Sequence, residues 1–203
     1  KRCSFAREIK QSSMMKSFPD PSDARKILEV LQADGVIAYP TEAVWGLGCD
    51  PFSEIAVERI LAMKLRKRSK GLILIAKDIE QLNPFLLGLS VAEMTELKQS
   101  WPGPQTWLIP DNNHAPSWIT GINNTLAVRV TDHPIASNLC SAFGGPLVST
   151  SANPSGLPPA KNMSELNTYF DQQLDYVVPG LLGELSNPTP IKNLKTGKIL
   201  RSG

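Results

Sequence analysis

Four stretches of the chain place polar or charged side chains at the ends of apolar runs, where open α/β sheets gather their ligands. The first is Tyr39-Pro-Thr-Glu-Ala-Val-Trp-Gly-Leu-Gly48, an apolar run ending in a proline turn that delivers Thr41 and Glu42 to a rim. Thr41 could bind a small polar ligand or satisfy its own backbone, and this stretch alone favours the second. The glycine pair lacks the third glycine of a dinucleotide fingerprint. The second stretch, residues 64–70, holds five cations in seven positions. Such charges need full solvation or an anionic partner. A helix C-terminus tolerates them, but the setting between a helix and a buried strand makes Lys64 and Arg66 protrude at a sheet edge. There an Arg fork can grip phosphate oxygens. In the third stretch, Thr125-Leu-Ala-Val-Arg-Val130, Arg129 interrupts an apolar strand. It must be paired with an acidic residue or face a ligand carboxylate, and both fit equally. The fourth, residues 146–156, runs from an apolar strand into Ser149, Thr150, Ser151, Asn153 and Ser155. This loop offers many neutral donors, which suits phosphate or ribose recognition better than a plain turn.

No nucleophile–base set accompanies these groups. Of the two histidines, His114 falls in an exposed Asn/Pro loop and His133 at a helix start, a structural place. There is no Gly-x-Ser-x-Gly elbow, no Walker A spacing and no His-x-x-x-His pair. The implied chemistry is positioning plus cationic stabilisation of phosphates.

The elements that must hold these groups follow from periodicity. Apolar residues predict a helix over 23–34 capped by Ser22, a buried strand over 36–39, and a turn running through Gly46 and Gly48. Further helices are expected over 53–63, over 90–100 with a Ser90/Glu93 capping box, and over 133–143 capped by Asp132. Strands are expected over 71–76, 106–109, 126–130, 146–150, 174–178 and 198–201. The strands are too many and too close for a simple Rossmann unit. The fold class is therefore α/β: one domain, a twisted mixed sheet flanked by helices.

The 203 residues suit one domain, and 41% hydrophobic with 20% charged residues is ordinary globular composition. A formal net charge of +2 excludes a global basic field, so any polyanion must meet a local patch. Cys3, Cys49 and Cys140 form no Cys-x-x-Cys pair, which points away from a disulfide framework or zinc and towards a reducing, cytoplasmic setting. No apolar run reaches the ~20 residues of a membrane span. Residues 1–14 are polar and aperiodic and are expected to be a disordered extension, with the folded domain over 15–203.

Taken in order, Tyr-Pro-Thr-Glu-Ala-Val-Trp-Gly-Leu-Gly, Lys-x-Arg, Ala-Val-Arg-Val and Ser-Thr-Ser-Ala-Asn-x-Ser-Gly resemble the YrdC-like threonylcarbamoyl-AMP synthases in their short bacterial form. The likeness runs from about Ser22 to the last residue. It implies a YrdC-like fold with a concave basic surface. It also implies the reaction of L-threonine, bicarbonate or CO2 and ATP to threonylcarbamoyl-adenylate and pyrophosphate, for the modification of adenosine 37 in tRNA. Mg2+ would accompany ATP. By resemblance, Lys64 and Arg66 are catalytic and touch ATP, as do Thr125, Ser149, Ser151, Asn153 and Arg201, while Thr41 and Arg129 hold threonine. The family further implies handover to a tRNA threonylcarbamoyltransferase complex of the TsaD, TsaB and TsaE type; direct tRNA binding stays open. Two departures stand out: Lys67 replaces a common proline, and Pro188-Thr189-Pro190-Ile191 replaces a Ser-Thr-Ile segment, which leaves the role of Thr189 open. The rival readings are a non-catalytic RNA-binding module, a carbamoyl-transfer domain and a degenerate structural homologue. Few aromatics and near-neutral charge count against the first.

Overall fold

The structure is a computed structural model and describes residues 21–203. The expected extension over 1–14 lies outside the described residues. The element order is α1 (Pro21–Gln32), β1 (Ile37–Pro40), β2 (Trp45–Gly48), α2 (Glu54–Met63), β3 (Ile73–Ala76), α3 (Asn83–Leu86), α4 (Val91–Ser100), β4 (Thr106–Pro110), α5 (Ser117–Thr120), β5 (Thr125–Val130), α6 (Pro134–Phe143), β6 (Leu147–Ser151), α7 (Met163–Phe170), β7 (Tyr176–Val177), β8 (Ile191–Asn193) and β9 (Ile199–Arg201).

The strands form one mixed sheet in the order β7-β1-β2-β6-β3-β5-β4-β8-β9. The pairs β1/β7, β3/β5 and β4/β8 are parallel and the others antiparallel. Because strand side chains alternate, strands such as β1 and β3 feed two cores, one on each face of the sheet. Ile37, Tyr39 and Ile75 pack with Ile27 and Leu31 of α1 and Leu139 of α6 on one face. Ala38, Leu47, Leu74 and Val128 pack with Val57 and Ile60 of α2 and with Leu97, Leu166 and Phe170 on the other.

Helix ends follow local chemistry. Ser53 caps α2 by accepting from Ala56 N, and Ser90 with Glu93 forms the expected capping box on α4. Two expected caps differ. Helix α1 begins at Pro21, so Ser22 lies inside its first turn. At α6 the cap is His133, whose side chain accepts from Ala136 N, because Pro134 occupies the first helical position and leaves His133 rather than Asp132 at the boundary. Residues 45–48, expected as part of a turn, form strand β2, antiparallel to β1 and β6. Helix α7 and strand β8 were not expected from periodicity. Helix α7 starts with Asn162 accepting from Glu165 N, and β8 exists through its pairing with β4 and β9.

Candidate functional site

Helices α1 and α6 cover only part of their sheet face. On the rest of it the register builds a floor: Leu108 lies opposite Ala127, Ala127 opposite Ile73, and Ile73 opposite Ser149. These four line a cavity of about 260 Å3. Strand alternation adds Thr125 and Arg129 from β5 and Ser151 from β6 to the same wall. Four cations, Arg66, Lys70, Arg129 and Arg201, face this space with the single carboxylate of Glu42. Burial and the charges of Arg129 and Arg66 push the Arg201 guanidinium below its ordinary range. An anion is the ligand class that such mutually repelling groups favour.

The Lys64-Leu65-Arg66 spacing has a local cause. Helix α2 ends in a Schellman turn: Arg66 N donates to Leu61 O at 2.9 Å and Leu65 N to Ala62 O at 3.0 Å. Leu65 occupies the left-handed position with φ 50°, where glycine is usual. The turn sends the two flanking cations in different directions. Arg66 lies along the cavity wall, its Nη2 donating to Gly71 O at 2.9 Å. Lys64 turns inwards and is 3% exposed. The expectation that Lys64 protrudes at a sheet edge is therefore corrected. Its Nζ donates to Ser151 O, to Asn153 O at 2.8 Å and to Asn153 Oδ1 at 3.4 Å. Burial, reinforced by the Arg66 charge, lowers the Lys64 ammonium to about 7.

The loop after β6 is organised around that ammonium. Ser151 Oγ donates to Asn153 Oδ1 at 2.6 Å, Asn153 Nδ2 donates to Leu157 O at 2.7 Å, and Ser155 N donates to Lys64 O at 2.7 Å. Ser149 and Ser151 line the cavity, whereas Lys64 and Asn153 sit behind Ser151 and are not part of the lining. The remaining cations of the basic stretch divide between cavity and surface. Lys70 faces the cavity. Arg68 pairs with Glu54 and Glu58 and lies over Trp118.

At the other end, the β1–β2 hairpin carries Thr41 and Glu42. Thr41 Oγ1 donates to Val44 O at 2.7 Å, so its hydroxyl satisfies the turn while the residue lines the cavity. Both readings of Arg129 hold at once. It lines the cavity and forms a buried ion pair, with Nη1 2.7 Å from Glu42 Oε2. That contact lies off the hydrogen-bond direction, and Arg129 Nε has no hydrogen-bond acceptor among the described residues. Thr131 Oγ1 donates to Glu42 Oε1 at 2.5 Å. Burial raises the Glu42 carboxyl, but the close Arg129 charge and the Thr131 hydrogen bond outweigh it and hold the group below the usual carboxylate range.

The third wall comes from the late chain. Arg201 on β9 donates from Nε and Nη2 to Thr189 O at 2.9 and 2.5 Å, and the Thr189 and Thr106 hydroxyls lie 3.0 Å apart. Thr189 is buried and lines the cavity. Thus Thr41, Arg66, Thr125, Arg129, Ser149, Ser151 and Arg201 share one cavity. Glu42, Lys70 and Thr189 join them without having been singled out as site residues. An ion pair between Arg129 and an acidic residue was one of the sequence expectations. Nothing in the sequence identified Glu42 as its partner, because hairpin and strand meet only in the fold.

The cavity does not fit a resident metal ion. Glu42 is its one carboxylate, and both oxygens are engaged. Among the described residues no group of three His, Cys, Asp or Glu side chains could hold one. No described helix is long and apolar enough to cross a membrane.

Comparison with known proteins gives these observations a context. The family model Sua5/YciO/YrdC, described as "Telomere recombination", matches residues 29–203. A threonylcarbamoyl-AMP synthase of Cellvibrio japonicus is 55% identical over 172 residues, covering 85% of this chain and 91% of that protein. One from Pseudomonas aeruginosa is 48% identical over 188 residues, 93% of this chain and 99% of that one. Among solved structures, P. abyssi Sua5 complexed with L-threonine superposes with a TM-score of 0.81 at 29% identity, covering 88% of this chain and 53% of the Sua5 chain. E. coli YciO superposes with a TM-score of 0.78 at 26% identity, covering 89% and 90%.

Proposed function

The chain belongs to the Sua5/YciO/YrdC family, and from that premise we propose how its cavity works: it is a threonylcarbamoyl-AMP synthase that joins L-threonine, bicarbonate or CO2 and ATP. The observation that carries this reading is that one cavity gathers two kinds of group: ligand-facing cations and hydroxyls, among them Arg66, Lys70, Thr125, Ser149 and Ser151, and the buried Arg129–Glu42 pair. The first suits a polyphosphate and the second a singly charged amino-acid carboxylate.

The threonine amine captures CO2 to give a carbamate. A carbamate oxygen then attacks the α-phosphorus of ATP, a P–O bond forms, and the bond to the bridging oxygen breaks as pyrophosphate leaves. Starting from bicarbonate, one water is also released. Arg66 and Arg201, with Lys70, neutralise charge on the phosphates, and Thr125, Ser149 and Ser151 orient the nucleotide. Arg129 and Thr41 hold threonine. Lys64 and Asn153 shape the Ser151 loop from behind. Mg2+ enters with ATP as part of the substrate, since the free donors of the cavity are cations and hydroxyls, and no step depends on a protein-bound ion. The product, carrying a mixed anhydride, serves the modification of adenosine 37 in tRNA through a threonylcarbamoyltransferase complex.

The test is mass detection of threonylcarbamoyl-adenylate from purified protein. Product is expected only when ATP, bicarbonate and threonine are all present, with one pyrophosphate per product. Threonine-independent pyrophosphate release, or none at all, would overturn the reading.

A further inference from the structure

We propose that Gly183 is a positioning residue for the amino-acid end of the cavity, acting on Arg129 through the Thr41–Glu42 turn; this rests on the function proposed above. Residues 178–190 cross from β7 to β8 as a strap over that turn. Val178 N donates to Ala38 O at 2.8 Å at one end. Near it, His133 Nε2 lies 3.2 Å from Leu181 O. Since His133 Nδ1 accepts from Ala136 N, the neutral ring carries its proton on Nε2 and donates to the strap. At the far end the Thr189 carbonyl is held by Arg201.

The middle of the strap touches the site's own backbone. Gly183 N donates to Thr41 O at 2.9 Å and Leu185 N to Glu42 O at 3.0 Å. The two carbonyls so held belong to the residues whose side chains face the cavity. At Gly183 the approach is so close that a Cβ would stand 2.7 Å from Glu42 O and 2.8 Å from Glu42 Cα. Both are backbone atoms and cannot rotate aside. Gly183 is not among the residues with positive φ, so space rather than conformational freedom demands glycine here. Any side chain must push the strap or the turn away. Glu42 carries the carboxylate that bridges Arg129 and Thr131, so moving its backbone changes where Arg129 points. Arg66 hangs on another element, the turn that ends α2, and stays in place.

Steady-state kinetics of Gly183→Ala test this. The KM for threonine is expected to rise about tenfold or more while the KM for ATP stays within about twofold, as a displacement of under an ångström at one end of a two-substrate site would give. A merely structural role would instead lower the active fraction, reducing kcat with both KM values unchanged. Leu185→Pro removes the N–H that Glu42 O accepts while its half-exposed side chain adds no bulk to the turn; it is expected to raise the threonine KM in the same direction, by less. It decides the question if Gly183→Ala does not fold. An unchanged threonine KM, or an equal rise for ATP, overturns the inference. Wild-type protein that forms no threonine-dependent product overturns the proposed function and this inference together, whereas active wild type with an unaltered variant overturns this inference alone.

Discussion

Two of the cavity's arginines, Arg66 and Arg129, stand at opposite ends of the proposed substrate pair and are built in opposite ways. Arg66 sits at a helix end, half-buried, bonded only to the backbone carbonyls of Lys70 and Gly71. No carboxylate is its partner among the described residues, and its charge is left for a ligand. Arg129 is buried in the central sheet, and its charge is met by Glu42 with Thr131 behind it. The contrast separates binding from folding. Arg66 can be lost with little harm to the fold, whereas Arg129 and Glu42 are part of the core as well as of the site.

The sharpest way to break this contrast is Glu42→Ala. It leaves Arg129 as an uncompensated buried charge facing Arg66 and Arg201, and it is expected to destabilise the protein by about 3–5 kcal/mol in urea unfolding. Loss of less than about 1 kcal/mol would mean that Arg129 is solvated in the cavity and that the two ends are alike. Next comes Arg66→Ala. Threonine-dependent pyrophosphate release should fall by about 10²- to 10³-fold, equivalent to about 3 kcal/mol of transition-state stabilisation. Its unfolding midpoint should stay close to wild type. A large stability loss with normal turnover would reverse the assignment.

Lys64 sharpens the comparison from a third side, because it is a cation buried among neutral oxygens. Lys64→Met leaves Ser151 O, Asn153 O and Asn153 Oδ1 without their donor, at a cost of about 1–3 kcal/mol. Its dependence on pH is distinctive. The folded ammonium is lowered to about 7, so above that pH the unfolded chain holds a proton that the folded one releases. The stability of wild type relative to Lys64→Met should therefore rise as pH climbs from about 7 towards the ordinary lysine value near 10.4. Paired denaturation curves at pH 7 and pH 9 measure it, and an unchanged difference would show that Lys64 keeps its proton throughout. The smallest effect is at Leu65. Replacing this left-handed, exposed residue by glycine should stabilise the protein by up to about 1 kcal/mol, since it relieves the steric cost of φ 50°, with Arg66 and turnover unaltered.

Much of this arrangement was legible in the sequence because it is local. The Ser90–Glu93 capping box, the buried strand ahead of Thr41, and Arg129 on an apolar strand follow from neighbouring residues. What escaped was set across the fold. Gly46 and Gly48 looked like a loop, yet they lie in β2, where Cβ atoms would meet the buried Tyr39 ring and, at Gly48, the Val148 carbonyl at 2.7 Å. These glycines make room within a strand. Five clustered cations suggested a protruding loop, but the Schellman turn carries leucine where glycine would have signalled it, so the inward turn of Lys64 went unread. Glu42 was placed at a rim without a partner and Gly183 was passed over, because an ordinary acidic residue and an ordinary glycine acquire their roles only from partners brought in by the fold.

The alternation along β5 carries a consequence for how such a protein can change. Thr125, Ala127 and Arg129 look into the cavity, while Leu126, Val128 and Val130 are buried. Adding or deleting one residue inside this strand would not slide the arginine sideways; it would exchange the ligand surface for the greasy interior in a single event. Length variation among descendants of this chain is therefore confined to connecting segments, and the strand can drift only by swapping one side chain for another.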